Sequence, residues 1–167
     1  MKKFIFILLS LFVFEVHAQS VNDRLHFEFA TGSGLRSNGV TPMDVSFKAY
    51  VDVFRPVCLF VAAEQNNSLY KEDDVKTFYK GESLGGGLGI NILGTRNSSH
   101  TLDVRLKVLS SIGNADWKRT SYDVNLAWYL KGIIFSPVVE VGYRFVDSRS
   151  DYIDNYKNAY LTLGIRY

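Results

Sequence analysis

The sequence predicts an all-β fold, in which eight antiparallel strands run up and down and close into a transmembrane β-barrel. Three observations predict it. Apolar and polar residues alternate with period two through most of the chain. The alternating segments are even in number and joined by connections that are short and long in turn. The aromatic residues of the apolar face gather toward both ends of the strands.

Composition alone sets only a class. The chain has 167 residues, 47% hydrophobic and 22% charged, with net charge +2 and mean hydropathy −0.01, which describes one domain able to bury a core. An aromatic content of 14%, with 13 Gly and 3 Pro, excludes collagen and disorder. The near-neutral balance argues against a nucleic-acid partner, which calls for a basic excess gathered on one face.

Residues 1–18 read as a secretory signal. Met1-Lys2-Lys3 is a basic start, Phe4 to Phe14 an apolar run, and Val16-His17-Ala18 places small residues at the positions a signal peptidase reads. Cleavage is expected before Gln19, leaving one domain over 19–167. The run is shorter than the roughly 20 residues of a spanning helix, which disfavours an uncleaved anchor. For an exported chain Cys58 is alone, so no disulfide framework exists, and its apolar setting makes it a small packed residue rather than a nucleophile.

The first predicted strand, 23–32, sets Leu25, Phe27 and Phe29 against His26, Glu28 and Ala30. The second, 40–53, sets Met43, Val45, Phe47, Ala49, Val51 and Val53 against Asp44, Ser46, Lys48, Tyr50 and Asp52. In the third, 57–65, Phe60 and Ala62 break the polar face that Glu64 resumes. The fourth, 83–93, contains Gly85-Gly86-Gly87-Leu88-Gly89. No Lys-Ser/Thr and no helix follow it, so it is not a phosphate-cradling loop. Inward glycines at 85, 87 and 89 are expected to make room for Arg105 and Lys107 and to let the sheet bend.

The fifth strand, 100–112, opposes Leu102, Val104, Leu106 and Val108 to Asp103, Arg105 and Lys107. The sixth, 120–130, opposes Tyr122, Val124, Leu126, Trp128 and Leu130 to Ser121, Asp123, Asn125, Ala127 and Tyr129. The seventh, 133–146, opposes Phe135, Val139, Val141, Tyr143 and Phe145 to Glu140, Gly142 and Arg144, with Pro137 calling for a bulge or a missing ladder bond. The eighth, 156–167, carries Leu161, Leu163, Ile165 and Tyr167 on one face and Tyr160, Thr162, Gly164 and Arg166 on the other.

The short connections, 54–56, 94–99 and 131–132, share one end with both termini. The longer ones, 31–39, 66–82, 113–119 and 147–155, share the other and are rich in Gly, Asn, Ser, Asp and Lys. Strands with two such faces can close with apolar residues inward, as in a soluble ligand-binding barrel, or outward, as in a membrane barrel. Loop asymmetry and an even strand count favour the second. Trp128, Phe135 and Tyr167 fall at the short-turn end and Tyr122, Tyr143 and Phe145 at the long-loop end, which reads as two aromatic girdles. The other face collects Glu28, Asp44, Lys48, Asp52, Glu64, Asp103, Arg105, Lys107, Asp123, Glu140, Arg144 and Arg166. Mixed signs let them pair inside an eight-stranded interior that side chains just fill, predicting a plugged lumen or at most a thread of water.

A signal peptide, eight alternating strands and a final strand closing on Gly164-Ile165-Arg166-Tyr167 resemble the small bacterial outer-membrane β-barrels typified by OmpX and the OmpA transmembrane domain. The resemblance covers the whole mature chain and rests on pattern rather than on a long motif. It implies the outer membrane of a Gram-negative cell, contact with its lipid and lipopolysaccharide, a monomer without cofactor, and delivery by periplasmic chaperones to the barrel-assembly machinery. It also implies that Leu161, Leu163, Ile165 and Tyr167 form the assembly signal. A role in envelope structure or adhesion is the expected function, with a narrow porin and a secreted lipocalin-like ligand-binding barrel as alternatives.

Some barrels of this architecture are lipid hydrolases, which need a Ser activated by a His that a carboxylate orients. The mature chain has His26 and His100, both at the short-turn end, opposite to an outer-leaflet substrate, so no catalytic residue is assigned. No zinc spacing occurs, and Asp73-Asp74 reads as a solvated loop tip. The longest connection mixes charges with Tyr70, Phe78 and Tyr79; it either binds a surface partner or extends the strands on each side. Trp117 with Lys118 and Arg119 is weighed as a contact for lipopolysaccharide phosphates, against plain solvation of a loop cation.

Overall fold

A computed structural model describes residues 25–72, 75–94, 98–131, 134–149 and 153–167. The proposed signal segment 1–18 and the Asp73-Asp74 tip lie outside the described residues. Eight strands follow one another: β1 (Leu25–Gly34), β2 (Val40–Phe54), β3 (Val57–Glu72), β4 (Val75–Leu93), β5 (His100–Ile112), β6 (Arg119–Leu130), β7 (Ser136–Ser148) and β8 (Tyr156–Arg166). Each pairs antiparallel with its neighbours in sequence, and β1 pairs with β8, so the sheet is a closed barrel with no free edge along its wall. The seam is zipped by the last residue, because the backbone amides of Phe27 and Tyr167 donate to each other's carbonyls at 2.9 and 2.8 Å.

Alternation decides which side chains go inside. Outward on β6 lie Tyr122, Val124, Leu126 and Trp128, all exposed, while Ser121, Asp123, Asn125, Ala127 and Tyr129 between them are buried. The same inversion holds around the wall, from Phe29 and Phe47 to Leu163 and Ile165. An exterior of large apolar side chains around a charged interior is the architecture of a membrane barrel and the reverse of a soluble one.

Four strands, β1, β3, β4 and β7, have limits that differ by two residues or more from the sequence reading. β3 and β4 continue to Glu72 and back from Val75 in one unbroken register, so the predicted long loop 66–82 is a hairpin; its β3 arm stays paired with β2 as far as Tyr70, whereas its β4 arm meets β5 only from Glu82 and stands beyond that strand. Burial still alternates there, with Asn66 and Ser68 inward, but the outward Gln65 and Asn67 are polar, which is why the apolar pattern faded at residue 65. β1 begins at Leu25 and runs on to Gly34, after which Asn38 and Gly39 turn the chain with φ of 48° and 78° and Ser37 and Val40 bond each other reciprocally. Both central residues in left-handed φ are what an Asn-Gly hairpin turn requires. β7 starts at Ser136, so Pro137 sits near a strand end instead of interrupting an interior ladder. β7 also reaches Ser148, shortening the connection that follows.

The glycine run also has a different tenant. A Cβ on Gly87 would strike the β5 backbone at Leu106 and the Phe60 ring, and one on Gly89 would lie 2.6 Å from Cys58 Sγ but 3.6 Å from Arg105 Cγ. The space expected for Arg105 and Lys107 is taken mainly by Phe60 and Cys58, the apolar members of β3 that turn inward. Phe60 packs against Tyr50 with centroids 4.9 Å apart.

Candidate functional site in the barrel lumen

Two tiers of ions fill the lumen. The middle tier gathers Glu28 from β1, Lys48 from β2, Arg105 from β5 and Glu140 from β7, two carboxylates against two cations. Glu28 and Lys48 are register partners and reach each other along one rung, whereas Arg105 reaches in from β5, on the wall opposite β1, and Glu140 from β7, two strands from β1. Lys48 Nζ donates to Glu28 at 2.7 Å and to both oxygens of Glu140 at 2.7 Å. The Arg105 guanidinium donates to Glu28 at 3.1 and 3.3 Å and to Glu140. Tyr50 and Tyr129 donate hydroxyl hydrogen bonds to Glu28 at 3.2 and 3.1 Å, while their rings sandwich the guanidinium at 4.7 and 4.9 Å. Arg105 is 0% exposed, so its charge is tolerable only because these partners surround it.

The second tier lies toward the long-loop end. Arg144, 2% exposed, donates Nε and Nη2 to Asp123 at 2.8 Å each, in the two-pronged geometry its planar fork permits, and reaches Asp44 at 2.5 Å and Glu64 at 2.9 Å. Lys107 lies 3.1 Å from Glu64 and 2.9 Å from Asp123. Arg119 approaches Asp44 at 3.8 Å, donates to Asn66 and Ser68, and meets the Tyr156 hydroxyl at 3.0 Å. Three carboxylates thus face three cations. Near the short-turn end Arg166 stands 4.0 Å from Asp103 and stacks on the Tyr129 ring at 4.7 Å, and His26 meets Asp52 at 3.3 Å.

Above the second tier the long-loop mouth is closed by an apolar cap. Trp117, Val40, Val146, Ile153 and Tyr156 form one buried cluster, with Tyr70 and Tyr79 packed against it. The Trp117 indole donates to Ser148 Oγ at 2.7 Å, lies 5.5 Å from the Tyr156 ring and carries the Arg119 guanidinium at 4.9 Å. This corrects the reading of Trp117, Lys118 and Arg119 as one exposed basic cluster. Alternation continues through residues 117–119, so Trp117 and Arg119 turn into the lumen and only Lys118 remains outside. The signal was a period-two phase carried back from β6.

The short-turn end is open instead. A cavity of about 500 Å³ lies among His26, Asp52, Cys58, Asp103, Tyr129 and Arg166. His100 is on the rim, its ring 6.0 Å from that of Trp128. Among the described residues no three His, Cys, Asp or Glu side chains gather as a metal ion would need. Of the aromatic set, Tyr122, Tyr143 and Phe145 are exposed toward the long-loop end, and Trp128, Phe135 and Tyr167 toward the other. Phe135 lies just before β7 with its ring 5.9 Å from that of Tyr167. Leu161, Leu163 and Ile165 point outward in line with Tyr167.

No family model and no curated protein matches the chain. Solved structures do. The neisserial surface protein A structure superposes with a TM-score of 0.55 at 15% identity, covering 85% of this chain and 94% of that one. The outer-membrane enzyme PagL gives 0.51 at 9% identity, covering 82% and 97%. At such identities the likeness is one of fold, and it agrees with the apolar wall and charged lumen: the chain has the fold of the small eight-stranded outer-membrane β-barrels.

Proposed function

We propose that the chain is a monomeric, non-enzymatic resident of a Gram-negative outer membrane, a sealed barrel that serves envelope structure and surface contact rather than transport. The observation that carries this reading is the lumen. Two neutral tiers of paired ions, with Arg105 and Arg144 shut from solvent, fill the bore, and the Trp117 cluster covers its long-loop end. Eight strands leave an interior that side chains fill, so no continuous aqueous path is left over. The cavity at the other end stops at Arg166, Asp103 and Tyr129.

Surface contact is supported by the β3–β4 hairpin, whose β4 arm extends beyond β5 and exposes Phe78. The non-enzymatic reading is supported by the histidines: His26 and His100 stand at the short-turn end, away from an outer-leaflet substrate. In this reading residues 1–18 are removed on export, the aromatic rings mark the two membrane interfaces, and Leu161, Leu163, Ile165 and Tyr167 are read by the assembly machinery. Single-channel recording in a planar bilayer tests the sealed lumen. The purified mature protein is expected to insert and stay silent, and a reproducible unit conductance would return the narrow porin to first place.

A further inference from the structure

The short-turn mouth of the barrel holds a cation that the lumen does not satisfy. Arg105, Arg119 and Arg144 each donate hydrogen bonds to oxygen atoms of lumen side chains. For Arg166 the nearest carboxylate oxygen among the described residues is Asp103 Oδ2 at 4.0 Å, beyond hydrogen-bond reach. Asp103 is already engaged elsewhere, since the same oxygen stands 4.0 Å from Arg105 and the other accepts from Asn91 at 2.9 Å. The Tyr129 and Tyr50 rings stack on the Arg166 guanidinium at 4.7 and 5.2 Å. Rings cover the faces of the group, so its N–H donors, which lie in its plane, are left without an acceptor among the described residues.

Those donors border the cavity of about 500 Å³ that opens at this end, a volume typical of small-molecule sites. Of the described residues around it, the cations Arg55, Lys131 and Arg166 face the carboxylates Asp52 and Asp103, an excess of at least one positive charge. Phe54, the last residue of β2, and Ile134, just before β7, add apolar surface to the same lining and are 64% and 66% exposed. Charge and lining together select the ligand. A phosphomonoester carries about −1.5 to −2 and overshoots a single positive charge, whereas a carboxylate matches it. A carboxylate also accepts two parallel N–H bonds from one guanidinium, and an apolar body attached to it would leave water against Phe54 and Ile134.

We propose that the short-turn mouth binds a small organic acid with one carboxylate and an apolar body of about six to ten carbons. Arg166 holds the carboxylate at the cavity floor, Lys131 and Arg55 keep the entrance positive, and Phe54 and Ile134 cover the apolar body. The acid enters from the short-turn side and stops below the middle ion tier, so the site is a dead end that needs no open lumen. A unit conductance in a planar bilayer would overturn the sealed barrel and leave this site standing.

The mature chain in lipid nanodiscs is titrated with hexanoate, octanoate and octanamide while its backbone amide resonances are followed by NMR. Saturable shifts are expected at Asp103, Tyr129 and Arg166. Octanoate should bind about ten- to a hundredfold more tightly than octanamide, the loss that follows removal of a hydrogen bond between charged groups. Octanoate should also bind about tenfold more tightly than hexanoate, at about three- to fourfold per methylene. Arg166→Gln should weaken octanoate by about ten- to a hundredfold and leave octanamide unchanged, which partition into the lipid would not do. Equal affinity for acid and amide, equal affinity of wild type and variant for octanoate, or no saturable shift at the three residues overturns the site. If Arg166→Gln does not fold, the comparison of acid with amide on the wild type decides.

Discussion

Arg105→Met is the sharpest probe of the lumen. The substitution removes one of two cations from the middle tier and leaves Glu28 and Glu140 to share Lys48, whose ammonium already lies 2.7 Å from both. One buried negative charge is then uncompensated, and breaking a buried pair in this way costs about 3–5 kcal/mol. Glu140→Met has the mirror effect, leaving Lys48 and Arg105 to share Glu28, at a similar cost of about 3–5 kcal/mol. Independent effects would sum to roughly 6–10 kcal/mol in the double variant. The structure says otherwise, because losing both side chains restores a neutral Glu28–Lys48 pair at 2.7 Å amid apolar replacements. The double variant should lose less than either single one, at about 0–2 kcal/mol. Urea unfolding in micelles, followed by the intrinsic fluorescence of Trp117 and Trp128, supplies all four corners of the cycle. Additive losses, or an Arg105→Met cost under about 1 kcal/mol, would refute the buried-ion account.

Other outcomes follow from particular contacts. Gly89→Ala should destabilise by about 1–3 kcal/mol through overpacking, and Cys58→Ala should rescue it, since Sγ is the atom 2.6 Å from the new Cβ while Arg105 Cγ is 3.6 Å away; chemical denaturation of the double variant checks this. Trp117→Ala should cost about 3–5 kcal/mol and admit water at the long-loop mouth, seen as faster amide exchange at Val146 and Tyr156. Tyr167→Ala should lower the amount of protein reaching the outer membrane, and wild-type levels in that fraction would remove the terminal residue from the assembly signal.

How much was legible in the sequence follows from the physics of each part. Where the wall meets lipid, alternation is strict, and β5, β6 and β8 were readable to within a few residues. It weakens where two apolar faces occur together, so Phe60 and Ala62 looked like a flaw in β3 although they fill space that Gly87 and its neighbours vacate on β4. It also weakens in the β3–β4 hairpin, where Gln65 and Asn67 hold the outward positions and Asn66 and Ser68 the inward ones, so that no apolar face marks the strand. The charged residues of the lumen could be collected from the polar face, but their sorting into tiers could not: Glu28 with Lys48 is a register pair, while Arg105 with Glu140 depends on the curvature that turns β5 and β7, on either side of β6, toward each other. The Trp117 cap was hidden because loop residues usually face solvent, and only the phase of β6 continued backward hints that residue 117 points inward.

The central claim is that the apolar face meets lipid and the charged face meets protein. A nitroxide scan along β6 of the bilayer-reconstituted chain, residues 122–129 replaced one at a time by cysteine in a Cys58→Ser background, tests it directly. Oxygen accessibility should rise and fall with period two, peaking at Tyr122, Val124, Leu126 and Trp128, with a water-soluble nickel reagent excluded at the same positions. Nickel accessibility peaking at those four residues, or no alternation at all, would contradict it.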